Sequence, residues 1–181
     1  MKQIKEINYA NLNTFFYSKA NEKQKEKAID YLIYDIAHPD KKTEFKKEIG
    51  FKKYILRTPY LGNILIPLFS KHLLKKGYDA LLLSYGEEII GRTAFQTKID
   101  FGFRRPSIHV FGIQITSEYR GNHLSTYMQE QLLKCKREEN YKLIRFGKGG
   151  DKTVNKIVED FANRSKSLNI EYLGHNYFKI N

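Results

Sequence analysis

Six residues, Arg120–Ser125, stand between two different hydrophobic patterns and could hold a phosphate group. The residues before them, Val110–Ile115, alternate in a way that predicts a strand. The residues after them carry apolar side chains at spacings of three and four, which predicts a helix: Leu124, Met128, Leu132 and Cys135. A helix start has free amides and about half a positive charge from the dipole, so it binds anions. Arg120 adds a cation there, and Gly121 lets a ligand approach the backbone.

Shorter patterns on both sides of this segment predict the elements that must position it. Two apolar runs, Asp79–Tyr85 and Ile89–Phe95, are joined by Gly86–Glu88, which predicts a β-hairpin. After the long helix the sequence predicts a strand, a helix and two further strands: Lys142–Phe146, Lys152–Ser167, Ile170–Leu173 and Tyr177–Ile180.

Residues 1–77 give a mostly helical pattern. Met1–Ile7 alternates and predicts a strand, and Asn21 can cap a helix with its first apolar residue at Ala28. The other expected segments are a helix over Thr43–Tyr54 and a helix capped by Asn63, with Leu68 and Leu73 inward and Gly77 at its end. The length predicts one domain over residues 1–181.

The loop and the order of these elements resemble the GNAT superfamily of acetyl-CoA-dependent N-acetyltransferases, over roughly Tyr78–Asn181. The pyrophosphate loop of that family reads Arg/Gln-x-x-Gly-x-Gly/Ala at the start of a helix. In this chain Arg120 and the apolar Leu124 fit the pattern, whereas His123 replaces the middle glycine and Ser125 the final small residue. The resemblance implies an α/β fold with a mixed, mostly antiparallel central sheet flanked by helices.

The resemblance also implies a reaction, the transfer of an acetyl or other small acyl group from CoA to an amine in a ternary complex. In that family the cofactor strand offers backbone groups to the pantetheine arm, the loop holds the pyrophosphate, and a later helix often has an Asn near its start. The residues at those positions here are Ile113, Gln114, Ile115, Arg120, Gly121, Asn122, His123, Leu124, Ser125 and Asn155. Gly112, inside the same strand, predicts a bulge or a close approach of the ligand.

An amine attacks a thioester only when neutral, yet a lysine amine has a pKa of about 10.4, so its proton must be removed. The family often has a Glu for this task, at the position of Ser107, which cannot act as a base. His109 lies two residues on and projects to the same face, and a pKa of about 6.5 suits the role. We expect His109 to be the general base, with Asp100 as the second candidate. The structural alternative is a histidine hydrogen-bonded within the sheet.

The family's usual acid for the leaving thiolate is a Tyr seven residues after the Asn of the later helix. Ala162 occupies that position in this chain, so the proton must come from another source. Tyr172, Tyr177 and solvent are the alternatives.

The net charge of +12 predicts a negatively charged partner. The phosphate groups of CoA account for part of this charge. A nucleic-acid- or ribosome-binding module would show the same excess, and so would lysines that only solvate the surface. A catalytically inert CoA-binding protein is a further alternative, favoured by His123, Ser107 and Ala162. The charge argues against a polycationic acceptor such as a polyamine, unless the cleft itself is acidic, and it leaves the oligomeric state open.

Cysteine content and hydropathy bear on the compartment. The single cysteine, Cys135, excludes an internal disulfide and fits a reducing cytosol. We expect it to be a buried residue on the apolar stripe of the long helix. No apolar run approaches the roughly 20 residues that span a bilayer, and the N-terminus lacks the hydrophobic stretch of a signal peptide. No zinc-ligand spacing is visible. We therefore expect a soluble cytoplasmic protein without a metal site.

Overall fold

A seven-stranded sheet forms the centre of the structure, a computed structural model that describes residues 5–25, 28, 68, 71–147 and 152–181. The strands are β1 (Leu12–Phe16), β2 (Tyr78–Tyr85), β3 (Glu88–Asp100), β4 (Arg105–Ile115), β5 (Leu143–Phe146), β6 (Ile170–Gly174) and β7 (Tyr177–Ile180). They lie in the order β1-β2-β3-β4-β5-β7-β6. Every neighbouring pair is antiparallel except β4 and β5, which are parallel. The mixed, mostly antiparallel sheet is therefore confirmed.

Three helices follow β4 and β5: α1 (Leu124–Glu138), α2 (Lys152–Asn163) and α3 (Ser165–Leu168). A parallel strand pair needs a long crossover, and α1 supplies it between β4 and β5. The apolar stripe of α1 is buried as predicted at three of its four positions, whereas Cys135 is only partly buried. The helix predicted over Lys152–Ser167 is divided into two at Arg164.

The main core lies between one face of the sheet and the helices α1 and α2. Its centre is a cluster of three rings, Phe146, Phe161 and Phe178, whose centroids are 4.9 to 6.0 Å apart in edge-to-face geometry. Phe161 and Phe178 are fully buried, which contributes about 1.5–3 kcal/mol each. On the opposite face, Ala80 and Leu82 pack with residues from the N-terminal part of the chain.

The predicted hairpin between β2 and β3 is present, with Gly86 at φ +58° in its turn. β3 continues beyond the predicted end at Phe95 to Asp100, because β4 pairs with it as far as Arg105. β2 pairs only up to Tyr78 opposite Gln96, so the far half of the β3–β4 hairpin extends past β2.

The predicted end of the third helix at Gly77 agrees with the structure. Residues 71–75 are helical, and Gly77 adopts φ +77°, a left-handed conformation that favours glycine. A Cβ atom there would lie 2.3 Å from the carbonyl oxygen of Thr97. The inward position of Leu68 is wrong, since this side chain is 61% exposed. Leu74 is instead partly buried and packs against the cluster that contains Ala80 and Leu82.

The strand predicted at Met1–Ile7 is also wrong over its described residues, because residues 5–7 are not in a strand. The N-terminal strand is β1, which pairs with β2 at the edge of the sheet. The cap at Asn21 agrees with the structure. Its side chain accepts a hydrogen bond of 2.9 Å from the Gln24 amide, and the Gln24 side chain accepts one of 3.0 Å from the Asn21 amide. The helix expected over Thr43–Tyr54 lies outside the described residues.

Candidate active site

β4 and β5 separate halfway along β4. The two strands pair only from Ser107 to Val110, and the last bond runs from the Gly147 amide to the Val110 carbonyl at 2.8 Å. Among the described residues, no strand lies on the β5 side of the remaining half of β4. The register with β3 shifts at the same point, because Ala94 faces Gly112 while Phe95 faces Val110, which leaves Phe111 as an extra residue. The bulge expected at Gly112 thus lies at the neighbouring residue, Phe111. A bulge bends its strand, and this one lies where β4 and β5 part.

The loop between β4 and α1 has the backbone shape of a glycine-rich loop. Gly121 has φ +92° and His123 has φ +51°, both in the left-handed region. A residue with a Cβ atom in this region is disfavoured by about 1–2 kcal/mol. His123 therefore keeps the conformation that a glycine would favour at the position where the sequence pattern departs from the family. Its side chain does not cap α1, so it leaves the first-turn amides of the helix to other partners.

Two side chains of this loop bond to the protein itself. Arg120 donates from Nε to the Ile115 carbonyl at 3.0 Å, which fixes the base of its exposed side chain. Asn122 donates from Nδ2 to the carbonyls of Lys5 at 3.0 Å and Tyr119 at 3.1 Å. The side-chain amide nitrogen of Asn122 thus fixes the loop to the rest of the protein.

An N-terminal segment that the sequence did not single out holds the same loop. The Lys5 amide donates to the Glu118 carbonyl at 3.1 Å, and the Lys5 ammonium lies 3.0 Å from the Glu118 carboxylate. The Tyr9 hydroxyl donates to the Asn122 carbonyl at 2.5 Å. No local pattern could reveal these contacts, because they join residues more than a hundred positions apart.

The other residues predicted to contact the cofactor divide into two groups. Ile113, Ile115 and Leu124 direct their side chains into the cores, and Gln114 accepts a 3.0 Å hydrogen bond from Arg92 Nε. Their side chains are thus already engaged, and only backbone groups that bond neither to β3 nor, as the Ile115 carbonyl does, to Arg120 remain for a ligand. Ser125 is half-buried in the first turn of α1, and Asn155 is exposed in the first turn of α2.

A cavity of about 260 Å³ opens where β4 and β5 part. Its lining residues are Lys98, His109, Val110, Phe111, Arg145 and Gly147. The register places His109 opposite Gln96 of β3 and opposite Arg145 of β5, and Lys98 follows two residues after Gln96 on the same face. Three neighbouring strands thus bring a histidine and two cations to one opening.

His109 is buried and neutral in this cavity. Only 6% of the residue is exposed. Burial, followed by the positive charges of Lys98 and Arg145, lowers the pKa of His109 to about 4, and Asp100 opposes this only in part. Its Nε2 atom lies 3.5 Å from Asp100 Oδ2, and it has no hydrogen-bond partner within the described part of the chain. A neutral imidazole with a buried, unsatisfied nitrogen therefore forms part of the cavity wall.

Asp100 is held at the tip of the β3–β4 hairpin by three donors. The amides of Gly102 and Phe103 donate to Oδ1 at 3.0 and 3.2 Å, and the Tyr177 hydroxyl donates to Oδ2 at 2.9 Å. Burial by itself would raise the pKa of Asp100, but these hydrogen bonds together lower it. The pKa of Tyr177 is raised, first by burial and then by its bond to Asp100. Asp100 is thus an ionised carboxylate with its oxygens engaged.

The alternatives for the acid lie in different places. Ala162 packs against the main core, and Tyr172 is exposed beside Phe178. Of Ala162, Tyr172 and Tyr177, it is Tyr177 that lies near His109, with ring centroids 6.3 Å apart. Ser107 is fully buried and donates to the Lys98 carbonyl at 3.0 Å.

No group of three or more His, Cys, Asp or Glu side chains in the part of the chain that the structure describes could hold a metal ion. No helix among the described residues is long and apolar enough to cross a membrane.

Solved structures share this architecture at low sequence identity. An aminoglycoside acetyltransferase, HMB0005, from an uncultured soil metagenomic sample aligns over 91% of this chain and 95% of its own, with 15% identity and a TM-score of 0.56. Another, meta-AAC0020, from the same kind of source aligns over 92% and 95%, with 13% identity and a TM-score of 0.55. The chain has the GNAT fold.

The same fold is also found in a protein that is named a transcriptional regulator and not an acetyltransferase. A transcriptional regulator from Bacillus halodurans aligns over 91% of this chain and 95% of its own, with 15% identity and a TM-score of 0.54. No family model matches the sequence, and no curated protein matches it significantly. The GNAT fold is therefore established by architecture, and the reaction has to be argued from the site.

Proposed function

We propose that this GNAT-fold protein transfers an acetyl group from acetyl-CoA to an amine. The observation that carries the proposal is the parting of β4 and β5 at Val110, where His109 lines a cavity and from where the unpaired half of β4 leads to the loop and the start of α1. The strand edge, the helix N-terminus and the neutral histidine thus belong to one strand-loop-helix segment.

The loop and strand fit the chemistry of the coenzyme. The amides at the start of α1, the left-handed backbone at Gly121 and His123, and the exposed Arg120 suit a pyrophosphate. The free edge of β4 at Ile113–Ile115 offers amide and carbonyl groups to the amides of the pantetheine arm. Asn155, at the start of α2, completes the set of residues that we assign to the coenzyme.

The reaction needs a neutral amine. When bound, the coenzyme supplies a thioester carbonyl that is open to nucleophilic attack. The amine nitrogen forms the new C–N bond as the C–S bond breaks, the amine loses one proton, and the departing thiolate gains one. His109, which lines the cavity, accepts a hydrogen bond from the amine, or from a water molecule that removes the proton of the amine. A pKa of about 4 makes it a weak base, so solvent carries the proton away and also protonates the thiolate.

Thermal unfolding with and without acetyl-CoA tests the coenzyme site, with a polyphosphate at matched ionic strength as the control. A ligand at about a hundred times its Kd adds roughly 2.7 kcal/mol, which raises the Tm of a chain of this size by roughly 5–10 °C. Arg120→Gln should reduce the rise, and Lys134→Gln, which removes an exposed charge from α1, should not. An equal rise of the Tm with polyphosphate would show that the protein responds to negative charge and not to the coenzyme.

Thiol release from acetyl-CoA in the presence of amines tests catalysis. Release that depends on the amine supports the transferase. Binding of acetyl-CoA without release from any amine would indicate an inert coenzyme-binding protein. No binding, together with a steep salt dependence of RNA or DNA affinity, would favour the nucleic-acid module.

A further inference from the structure

We infer that the acceptor amine carries an anionic group, a carboxylate or a phosphate, which binds between Lys98 and Arg145 beside His109. This inference rests on the proposed acetyl transfer and names the chemical class of its acceptor. It depends on the positions of Lys98 and Arg145, on their positive charge, and on whether a carboxylate neutralises them.

The sheet register fixes the positions of these side chains. Arg145 of β5 is the direct neighbour of His109 of β4, and Lys98 of β3 is its diagonal neighbour on the same face. Direct neighbours in a sheet have Cβ atoms about 4.5–5.5 Å apart, and long side chains also reach diagonal ones. The guanidinium of Arg145 is further fixed 4.8 Å above the ring of Tyr177. The two cations therefore stand on both sides of the imidazole at the cavity wall.

The charge at this wall is positive. Lys98 and Arg145 have no carboxylate within 4 Å among the described residues. Asp100 is the acidic group in the cluster, and its oxygens are bound by Tyr177 and by two backbone amides. After burial, the positive charges of Lys98 and Arg145 also lower the pKa of His109. The two side chains would stabilise an anionic ligand group between them and would repel a cationic one.

The size and lining of the cavity narrow the class further. A volume of about 260 Å³ lies just below the roughly 300–1,000 Å³ of ligand pockets, which suits a small acceptor. Two structural neighbours are aminoglycoside acetyltransferases. A polycationic aminoglycoside would bring like charge to Lys98 and Arg145, so we expect this chain to take a different acceptor. An acceptor that places its amine at the neutral His109 and its anionic group at Lys98 and Arg145 is complementary in charge to both parts of the cavity.

Thiol release with matched pairs of amines tests the inference. β-Alanine is compared with 3-aminopropanol, and O-phosphoethanolamine with ethanolamine, so each pair differs in the anionic group. We expect kcat/KM to be at least tenfold higher for an anionic member, and the two pairs distinguish a carboxylate from a phosphate. Lys98→Gln and Arg145→Gln should each reduce this preference without changing acetyl-CoA binding, whereas Lys134→Gln should leave it unchanged. Preference for the amines without an anionic group or for an aminoglycoside, or a preference that survives both substitutions, would overturn the inference.

A second measurement needs neither acetyl-CoA nor turnover. The histidine ring signals are followed by NMR at pH 6.5, and His109, one of five histidines, is assigned with His109→Gln. β-Alanine or O-phosphoethanolamine should shift the His109 signals saturably, and 3-aminopropanol or ethanolamine should not. The Lys98→Gln/Arg145→Gln double variant should lose this response.

The two measurements separate the two claims. Response at His109 without thiol release from any amine would leave the anion site standing and reject the transferase. Binding of acetyl-CoA with no response at His109 would reject the anion site and leave the transferase standing.

Discussion

Replacement of His109 by Gln should flatten the dependence of stability on pH between about 4 and 6.5. The unfolded chain binds a proton at this histidine below pH 6.5, whereas the folded chain does so only below about 4. In that interval the unfolded state holds more protons, so the free energy of unfolding falls as the pH falls. A gap of about 2.5 pKa units at about 1.36 kcal/mol each gives a full effect of about 3 kcal/mol, of which about 2 is reached at pH 5.

Other shifted groups act differently in this interval. The pKa of Asp100 is lowered, so its contribution is present above pH 3.8 and is lost only below that value. The pKa of Asp79 is raised, chiefly by burial, so the folded state binds its proton more readily and this group has the opposite sign to His109. Both carboxylates remain in the His109→Gln variant. The difference between the two proteins therefore isolates the histidine.

Urea unfolding at pH 7.5 and pH 5.0 measures the effect. We expect the wild-type protein to lose about 2 kcal/mol more than His109→Gln between the two values, with unchanged m-values. His72→Gln, which removes an exposed histidine, is the matched control and should follow the wild type. Equal losses in the wild type and His109→Gln would show that His109 is not buried in its neutral form, and the account of the cavity would fail.

Three further substitutions test the core, the loop and the cluster around Asp100. Phe161→Ala should lower the free energy of unfolding by about 3–5 kcal/mol in urea titrations, because the ring is fully buried between two others. Tyr9→Phe removes the bond to the Asn122 carbonyl and should weaken acetyl-CoA binding severalfold in calorimetry, with less than about 1.5 kcal/mol of stability lost. Tyr177→Phe leaves Asp100 without its hydroxyl donor and should destabilise the protein by about 1.5–3 kcal/mol while raising the pKa of Asp100, which NMR can follow. An unchanged pKa of Asp100 would contradict its role as the partner of Tyr177.

Local patterns explain which elements could be predicted. The β2–β3 hairpin depends on alternation and a glycine turn, and α1 depends on apolar residues at helical spacing, all within a few positions in the chain. The sequence does not indicate β1, because it is a short edge strand that only its pairing with β2 defines. The apolar spacing allows more than one inward face for the helix before Gly77, and in the structure Leu74 packs on the sheet whereas Leu68 is exposed.

The site shows the same division between local and distant information. The loop from Arg120 to the start of α1 could be located from the sequence, and so could the position of His109 in its strand. The left-handed backbone at His123 could not, since a histidine does not signal that conformation. The hold of Lys5 and Tyr9 on this loop depends on a chain path that no local pattern contains.

The sequence by itself determined the order of strands and helices from the hairpin onward, and it located the loop before α1 that we propose as the coenzyme site. Only the tertiary structure placed Lys98, His109 and Arg145 on one face, because the register of three strands decides which side chains are neighbours. It also made His109 neutral, because burial and the two neighbouring cations act through space. Alternation and helical spacing are properties of neighbouring residues, whereas burial and electric fields are set by atoms from distant parts of the chain.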